Sequence, residues 1–208
     1  MQYHRTMKLY YSPGSCALAP HIVIREAELE VKLDKVTFGE ERTTENGHDF
    51  FGINPQGSVP ALELDDGSVL TENAAVLQYL AAQAPDTDLS PREGMAHWRL
   101  LETLNFIATE LHKGFSPLFH KPAPEVRKAL LLSLRKPLAL LNEKLGDKQY
   151  LVGDRFTIAD AYAFVVLRWA RRFQIDLSDL PKLTAYFGRL LARPAVQMAL
   201  QEEGLPTS

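Results

Sequence analysis

Residues 7–36 read MKLYYSPGSCALAPHIVIREAELEVKLDKV, and this stretch decides the fold of the first part of the chain. Its opening, MKLYY, predicts a short strand over residues 7–11 that is broken by the turn-forming pair Pro13-Gly14. The residues after the turn carry apolar side chains at helical spacing, and EVKLDKV then alternates as a strand does. A strand, a helix and a strand this close together form a βαβ unit, so we expect the two strands to be parallel.

A hairpin and a second helix are predicted downstream. The dipeptide Asp66-Gly67 lies inside ALELDDGSVL, residues 61–70, and separates two short apolar runs, which predicts an antiparallel pair of strands. The segment before it, residues 43–60, has no clean periodicity and is expected to hold a short irregular helix. The order βαβ and then ββα predicts an α/β domain with a mixed four-stranded sheet over residues 7–86.

The rest of the chain carries only helical patterns. APDTDLSPREG is rich in Pro, Asp and Ser, and residues 87–94 are predicted to be a linker. An all-α domain is expected over residues 95–208. Its predicted helices cover about 95–115, 125–145, 158–173, 182–192 and 195–203.

Composition excludes several classes of protein. The 208 residues carry a net charge of −3 with no block of like charge, so nucleic-acid binding is not expected. No apolar run reaches the roughly 18 residues of a membrane span. The polar residues 1–6 lack the apolar core of a signal peptide and are expected to be either a leader or non-native residues before the folded part. One cysteine cannot form an intramolecular disulfide, which favours a reducing, cytoplasmic location. Because the six histidines show no H-x-x-x-H spacing, no metal site is expected.

Cys16 follows the first turn and stands at the predicted start of a helix. The positive end of the helix dipole and the unpaired amides of the first turn stabilise a thiolate, which favours a functional thiol. The alternative is that a lone cysteine is a small buried hydrophobic residue. Ala19 occupies the position of the second cysteine in a C-x-x-C motif, so a two-cysteine redox cycle within one chain is excluded.

Two further segments could bind a ligand. In GSVPAL a cis Val59-Pro60 bond would turn the backbone of Val59 outward for pairing with an extended peptide, whereas a trans proline would simply start a strand. In TENAA we expect Thr71 to cap a helix with Glu72 and Asn73 in its first turn. These two residues either have that structural role alone, or hold a ligand carboxylate and ammonium group.

The first helix of the second domain carries a polar set of side chains. Asn105, Thr109 and His112 lie at i, i+4 and i+7, so they are expected to share one face, with Lys113 at the same end. Such a face could line a cleft, or it could be an ordinary solvated face.

A folding signal lies further along the helical domain. Thr157 and Asp160 in GDRFTIADAY match a capping box at the start of a helix. That helix is apolar nearly all round, so we expect it to be buried at the centre of the domain. Asp160 is therefore interpreted as a cap and not as a catalytic acid.

Taken together, five stretches resemble the cytosolic glutathione transferases, and specifically their bacterial beta class. The resemblance covers nearly the whole chain from Met7 and implies a thioredoxin-like N-terminal domain that binds glutathione, an all-helical C-terminal domain and a homodimer. The stretches are MKLYYSPGSCALAPHI, NPQGSVPAL, LTENAAVLQYLA, LNFIATELHKGFSPLF and GDRFTIADAY.

The resemblance also implies a set of site residues. Cys16 would lie beside the glutathione sulfur and could form a mixed disulfide with it, while the backbone of Val59, before a cis Pro60, would pair with the cysteinyl part. Glu72 and Asn73 would hold the γ-glutamyl end. Three residues of the second domain, Asn105, His112 and Lys113, would face the thiol. Of these, His112 and Lys113 would favour anionic sulfur. The implied catalytic residues are Cys16 and His112, and the implied glutathione-binding residues are Cys16, Val59, Pro60, Glu72, Asn73, Asn105, His112 and Lys113.

One loop departs from the class pattern. Glu41 and Arg42 stand about where the class often has a ligand-binding lysine, so Arg42 is the candidate substitute for that contact. Near Cys16, the hydroxyl groups of Ser15, Tyr10 and Tyr11 are the alternative activators of the thiol.

Three functions are therefore expected, in this order. The first is an enzyme that adds the glutathione thiolate, as co-substrate, to small hydrophobic electrophiles held near it. The second is a glutathione-dependent monothiol enzyme of thiol–disulfide exchange, which needs external glutathione to resolve the mixed disulfide. The third is a non-catalytic protein that binds hydrophobic ligands.

Overall fold

The computed structural model describes residues 6–208, which form two compact units. One unit runs to Thr87 and also contains Pro194–Ser208, and the other is Asp88–Arg193. Apart from Thr6, the predicted leader lies outside the described residues. None of the helices in residues 6–208 has the length and apolar character needed to cross a membrane.

The first unit combines a sheet with helices, as the α/β prediction requires. Its strands lie in the order β3-β2-β1-β4-β5, with β1 and β2 parallel and the other neighbours antiparallel. A short 3₁₀ turn, Phe50–Gly52, is the irregular helix expected between the strands. The elements are β1 Lys8–Tyr11, α1 Leu18–Glu26, β2 Lys32–Phe38, β3 Arg42–Thr44, β4 Ala61–Glu63, β5 Val69–Leu70 and α2 Asn73–Gln83.

The sheet has five strands where four were predicted. The additional strand is β3, which turns back after β2 and pairs with it antiparallel, so that Thr43 lies opposite Thr37. Three polar or charged residues, RTT, form this strand, and its alternation is too short to stand out from the surrounding loop sequence. The βαβ unit and the hairpin are confirmed.

The second unit is helical throughout, but two predicted helices are divided. The predicted helix 95–115 contains a π-helical turn, and the predicted helix 125–145 ends and restarts at Leu134. Pro137 accounts for the second break, because it has no N–H to donate to the carbonyl of Ser133. The elements are α3 Gly94–Phe106, a π turn Ile107–His112, α4 Lys113–Phe115, α5 Pro124–Ser133, α6 Arg135–Leu145, α7 Ile158–Arg172 and α8 Pro181–Leu191.

Helix α7 is the centre of the second unit. Every residue from Ile158 to Leu167 is buried, as its apolar pattern predicts. The capping box is present, since the Asp160 carboxylate accepts the Thr157 backbone N–H at 2.8 Å. Burial of each large apolar side chain here contributes about 1.5–3 kcal/mol.

The last helix, α9 Pro194–Glu202, belongs to the first unit and not to the helical domain 95–208 of the prediction. It contacts α1, and its apolar residues Val196 and Leu200 are buried. Helix α1 also contacts α2, and every residue from Leu18 to Ile24 is buried. Contact with α9 therefore completes the burial of α1. An apolar helical pattern does not show which unit will bury it, so the sequence alone predicts that this helix packs with its neighbours in the chain.

Candidate active site

Three candidate segments lie at the same end of neighbouring strands in the first unit's sheet. Antiparallel pairing of β1 with β4 and of β4 with β5 brings together the end of β1, the start of β4 and the end of β5. Cys16 lies in the turn that leaves β1, Val59 and Pro60 precede β4, and Glu72 and Asn73 follow β5. The pairing of the strands therefore places these five residues at the same end of the sheet.

Cys16 is in direct contact with Val59. Its Sγ donates a hydrogen bond to the Val59 carbonyl oxygen at 3.1 Å, and the residue is 8% exposed. The Val59–Pro60 bond is cis, which is the alternative that the family resemblance implied. Helix α1 begins at Leu18, and its turn extends back to Cys16 through the bond from Ala19 N–H to the Cys16 carbonyl at 3.1 Å.

Two of the neighbouring hydroxyl groups, those of Tyr10 and Ser15, make hydrogen bonds within the protein. Tyr10 donates to the Glu63 carboxylate at 2.6 Å, and burial raises the pKa of both Tyr10 and Tyr11. Phenols with a raised pKa stay protonated at neutral pH and are poor bases. The Ser15 hydroxyl oxygen accepts a hydrogen bond from the backbone N–H of Ala17.

Helix α2 begins differently from the prediction. Glu72, and not Thr71, occupies the cap position, and its side chain makes no capping bond. The Glu72 backbone has φ +66°, in the left-handed region, which costs a non-glycine residue about 1–3 kcal/mol. Its carbonyl oxygen accepts the N–H groups of Ala75 and Val76, the first hydrogen bonds of the helix, while its carboxylate takes no part in capping and can bind another partner.

Asn73 is 6% exposed, and neither its Nδ2 nor its Oδ1 has a hydrogen-bond partner among residues 6–208. A buried polar group without a partner costs about 1–3 kcal/mol. The amide can donate and accept, so it offers an unused recognition group beside Glu72.

Arg42 is held between two aromatic rings and a backbone carbonyl. Its guanidinium lies 4.8 Å from the Phe38 ring centroid and 5.4 Å from that of Phe51, and its Nη1 donates to the Gly57 carbonyl. A Cβ on Gly57 would lie 2.7 Å from that Nη1, and Gly57 has φ +61°, so glycine allows this approach. Within residues 6–208 Arg42 forms no ion pair with a carboxylate.

In the second unit His112 packs inward. Its Nδ1 lies 2.5 Å from the Tyr162 hydroxyl, and its ring meets the edge of Trp169 at 5.1 Å between centroids. Burial, followed by the charge of Lys113, lowers the pKa of His112 to about 4. His112 is therefore uncharged at neutral pH. That His112 and Lys113 together favour anionic sulfur stays a prediction, in which the positive charge is that of Lys113, an exposed residue.

The expected common face of Asn105, Thr109 and His112 does not form. Asn105 and Thr109 are exposed, with the Thr109 hydroxyl donating to the Asn105 carbonyl at 3.0 Å, whereas His112 faces α7. The cause is the π turn, in which the Lys113 N–H donates to the carbonyl of Ala108, five residues back. Wider turns rotate the following side chains relative to an α-helix.

Sequence reasoning missed Tyr162 and the aromatic pair beside Arg42. Tyr162 is 1% exposed in the middle of α7, and its one sequence signal is a hydroxyl inside an apolar helix, which needs a polar partner. Phe38 and Phe51 are 44% and 43% exposed, and no periodic pattern brings them together.

Among residues 6–208, no group of three or more His, Cys, Asp or Glu side chains is arranged to hold a metal ion. In the first unit, the Glu72 carboxylate makes no capping bond and the Asn73 amide has no partner within residues 6–208, so both can bind a ligand together with the backbone of Val59. Such a set suits an extended peptide-like molecule with a charged end.

Both parts of the chain match domains of known protein families. Residues 14–83 match the family of the glutathione S-transferase N-terminal domain, and residues 106–194 match that of the C-terminal domain. The chain is 48% identical over 201 residues to the glutathione S-transferase GstA of Escherichia coli O157:H7, covering 96% of this chain and 100% of that protein.

Two solved structures are closely similar. A sphingomonad glutathione S-transferase complexed with glutathione has a TM-score of 0.90 and 44% identity, covering 96% of this chain and 100% of that one. A beta class glutathione S-transferase from Sphingomonas chungbukensis has a TM-score of 0.91 and 44% identity at the same coverage. With its thioredoxin-like first unit and helical second unit, the chain belongs to the glutathione S-transferase family of enzymes, and within it to the bacterial beta class.

Proposed function

We propose that the protein catalyses attack of the glutathione thiolate on small hydrophobic electrophiles. The observation that carries the proposal is the 3.1 Å contact of the Cys16 Sγ with the Val59 carbonyl, directly before a cis proline at the sheet edge. In the reaction glutathione loses its thiol proton, and the sulfur forms a bond to an electrophilic carbon. The displaced electron pair departs with a leaving group or, in an addition, takes up a proton at the neighbouring carbon.

In this proposal the first unit holds glutathione along its length. The Val59 backbone, with Pro60 behind it, pairs with the cysteinyl part and brings its sulfur to Cys16. The Asn73 amide hydrogen-bonds the γ-glutamyl carboxylate, while Glu72 accepts from the ammonium group. The unpaired Asn73 amide supports this assignment, since a ligand would satisfy a group that is otherwise buried at a cost.

Arg42 is the proposed partner of the glycyl carboxylate. Its guanidinium uses Nη1 on the Gly57 carbonyl and retains further N–H donors. The rings of Phe38 and Phe51 hold it in one orientation, which lowers the entropy lost when it binds a carboxylate.

Three residues of the second unit complete the proposed set. Asn105 and Lys113 are exposed and can each donate to a ligand. His112 can contribute a hydrogen bond but no charge at neutral pH, so attraction for a thiolate would come from Lys113.

Thiol–disulfide exchange is the second candidate function, and the position of the lone cysteine favours it. Cys16 is the one cysteine of the chain and lies beside the backbone that the proposal assigns to the cysteinyl part. Its thiolate would attack the glutathione sulfur of a small mixed disulfide, forming a Cys16–glutathione disulfide and releasing the other half as a thiolate. The thiolate of a second glutathione would then attack the adduct, which releases the Cys16 thiolate and glutathione disulfide.

The deciding experiment is intact-mass analysis after incubation with glutathione disulfide at mildly acidic pH. We expect one glutathionyl adduct on the folded protein, formed faster than on the same chain unfolded in urea, and none in Cys16→Ser. Slower modification of the folded protein would contradict an activated thiol beside a glutathione site.

Conjugation of 1-chloro-2,4-dinitrobenzene by Cys16→Ala separates the two enzymatic functions. If conjugation survives, Cys16 neighbours the reacting sulfur and does not activate it. If the variant loses only the reduction of a mixed disulfide, exchange is a separate activity of Cys16. Binding of hydrophobic ligands without any turnover would instead support a non-catalytic binding protein.

The proposed assembly is a homodimer in the cytoplasm. Dimerisation is supported by the family resemblance, and light scattering over a dilution series tests it. The cytoplasmic location is supported by the presence of one cysteine in the chain, which cannot form an intramolecular disulfide and so suits a reducing compartment.

A further inference from the structure

The imidazole ring of His112 is held against one face of α7. The Tyr162 hydroxyl lies 2.5 Å from its Nδ1, and the rings of Tyr162 and Trp169 meet it edge-on, with centroids 5.8 and 5.1 Å from its own. Tyr162 and Trp169 are both buried and lie about two helical turns apart, so they share one face of α7. These contacts fix the place of the imidazole and the rotation of its ring.

The distance between Tyr162 and His112 indicates which group donates the hydrogen bond. Bonds donated by an N–H to oxygen run about 2.7–3.2 Å, whereas bonds donated by a hydroxyl group reach down to about 2.5 Å. The chemistry of the two groups agrees with this, because a phenol is a good donor and a bare imidazole nitrogen is a good acceptor. The geometry and the chemistry both favour the Tyr162 hydroxyl as donor and Nδ1 as acceptor.

This direction determines where the ring carries its own proton. A neutral imidazole has one N–H, so a ring that accepts at Nδ1 is protonated at Nε2. His112 is neutral at neutral pH, since burial lowers its pKa to about 4. Its Nε2 makes no hydrogen bond within residues 6–208, and the side chain is only partly buried, so this N–H can meet a ligand.

We propose that Tyr162 is a positioning residue, which fixes His112 as the tautomer that donates from Nε2 to the glutathione thiolate and cannot take the proton of the thiol. This inference rests on the proposed function, in which His112 faces the thiol. The thiol proton leaves to solvent, and the Nε2–H donor and the charge of Lys113 stabilise the sulfur anion that remains.

Nitrogen NMR of the protein containing ¹⁵N-labelled histidine measures the tautomer directly and needs no glutathione. The chain has six histidines, and His112→Gln assigns the resonances of this one. At neutral pH we expect Nε2 to have the shift of a protonated ring nitrogen, and Nδ1 that of a bare nitrogen that accepts a hydrogen bond. In Tyr162→Phe the Nδ1 shift should lose the contribution of that bond. Protonation of Nδ1 in the wild-type protein would overturn the proposal, whether or not the variant folds.

Tyr186→Phe is the matched control for Tyr162→Phe. Tyr186 is a buried tyrosine of the same unit, and its hydroxyl donates to the Asp160 carboxylate at 2.5 Å. This variant loses a hydrogen bond of the fold without removing a contact of His112, so the His112 nitrogen shifts should equal those of the wild-type protein. Equal changes of these shifts in the two variants would show a general loosening of the unit and would overturn the role of Tyr162.

The rate of conjugation tests whether His112 acts as a donor or as a base. Glutamine keeps an N–H donor at the end of the side chain but has no basic nitrogen, whereas leucine has neither. His112→Gln should therefore keep kcat within about threefold of the wild-type value, and His112→Leu should lose about tenfold, the effect of one ordinary hydrogen bond. The KM for glutathione should stay unchanged in both. Equal losses of kcat would indicate a general base and contradict the donor role.

Tyr162→Phe should lower kcat by about threefold to tenfold and leave the KM for glutathione unchanged, because it removes the group that orients the donor. Tyr186→Phe should leave both constants unchanged. A Tyr162→Phe variant that folds and keeps the wild-type kcat would show that the hydroxyl does not act through His112.

The tautomer and the conjugation activity can fail independently. Absence of both conjugation and a Cys16 adduct would contradict the proposed function, while the ¹⁵N shifts would still decide the tautomer of His112. Conjugation by a protein whose Nδ1 is protonated would overturn this inference and leave the proposed function intact.

Discussion

Asn73 and Asn54 are two buried asparagines of the first unit with opposite surroundings. Asn54 is 3% exposed and uses both ends of its amide, donating to the Ser58 carbonyl at 2.7 Å and accepting the Gln56 N–H at 3.1 Å. Asn73 is similarly buried but uses neither end. At the residue scale, the first amide serves the fold and the second is available for a ligand.

Asn73→Leu should therefore separate stability from binding. Removing an unsatisfied amide should leave the free energy of unfolding equal or raise it by about 1 kcal/mol, while glutathione affinity falls at least about tenfold. Urea unfolding and calorimetric titration with glutathione measure the two effects. Asn54→Leu is the matched control and should lose about 1–3 kcal/mol of stability. Strong destabilisation by Asn73→Leu would show that the amide has a structural partner.

His112 makes stability depend on pH. Its folded-state pKa of about 4 lies below the ordinary value of 6.5, so on acidification the unfolded chain binds the proton first. Stability should thus be fully present above pH 6.5 and fall as the pH drops toward 4, by about 2 kcal/mol after allowance for solvent exposure of the ring. Urea unfolding at pH 7 and pH 4.5 measures the slope.

The control for His112→Gln is His120→Gln, at an exposed histidine of the same unit. His112→Gln should flatten the slope in that pH range and His120→Gln should not. An unchanged slope in His112→Gln would show that His112 is not held neutral by burial.

At the scale of elements, the start of α7 depends on one carboxylate. Asp160 is fully buried and accepts from the Thr157 N–H at 2.8 Å, the Leu151 N–H at 2.9 Å and the Tyr186 hydroxyl at 2.5 Å. Burial raises the pKa of Asp160, and these donors act against that shift. The carboxylate thus joins the cap of α7 to the preceding loop and to α8.

Asp160→Ala should cost about 3–5 kcal/mol, because it leaves these donors buried without an acceptor. Thr157→Ala, which removes only the capping hydroxyl, should cost about 1 kcal/mol. Urea unfolding of both variants measures the difference. The double variant Asp160→Ala/Tyr186→Phe should lose less than the sum of the two single changes, since they share one bond. Equal losses for Asp160→Ala and Thr157→Ala would contradict the larger network.

At the scale of the whole molecule, the end of the chain completes the unit that contains its beginning. His21 of α1 has no exposed side-chain surface, and its ring nitrogens lie 3.0 Å from Glu203 and 2.7 Å from Glu202. The other Glu203 oxygen accepts the Gly14 N–H at 2.7 Å, in the turn that leads to Cys16. The contact order of this unit is therefore high, because residues near both ends must meet before it is complete.

Glu203→Ala should destabilise the first unit by about 3–5 kcal/mol, since Glu203 has a fully buried side chain and its loss leaves a buried histidine with one partner fewer. Glu202→Ala is the control and should cost about 1 kcal/mol, because that side chain is 35% exposed. Hydrogen exchange of the α1 amides, with unfolding curves, measures both. Similar losses in the two variants would show that burial of the pair does not decide its contribution.

The sequence alone predicted the features that depend on local pattern. Alternation and helical spacing identified the βαβ unit, the hairpin and α7, and the Thr157–Asp160 spacing identified the cap. The candidate residues of the first unit could be named because each lies beside a strand end or a proline. These signals need only neighbours in the chain, which is why they can be read without a structure.

Only the tertiary structure decided the properties that depend on distant residues. The π turn that moves His112 away from the face of Asn105, the neutral state of His112 beside Tyr162, and the strand β3 all depend on packing partners. The same holds for α9, whose apolar face could have covered either unit. Local sequence specifies which elements form, whereas burial and long-range hydrogen bonds determine which side chains meet and what charge they carry.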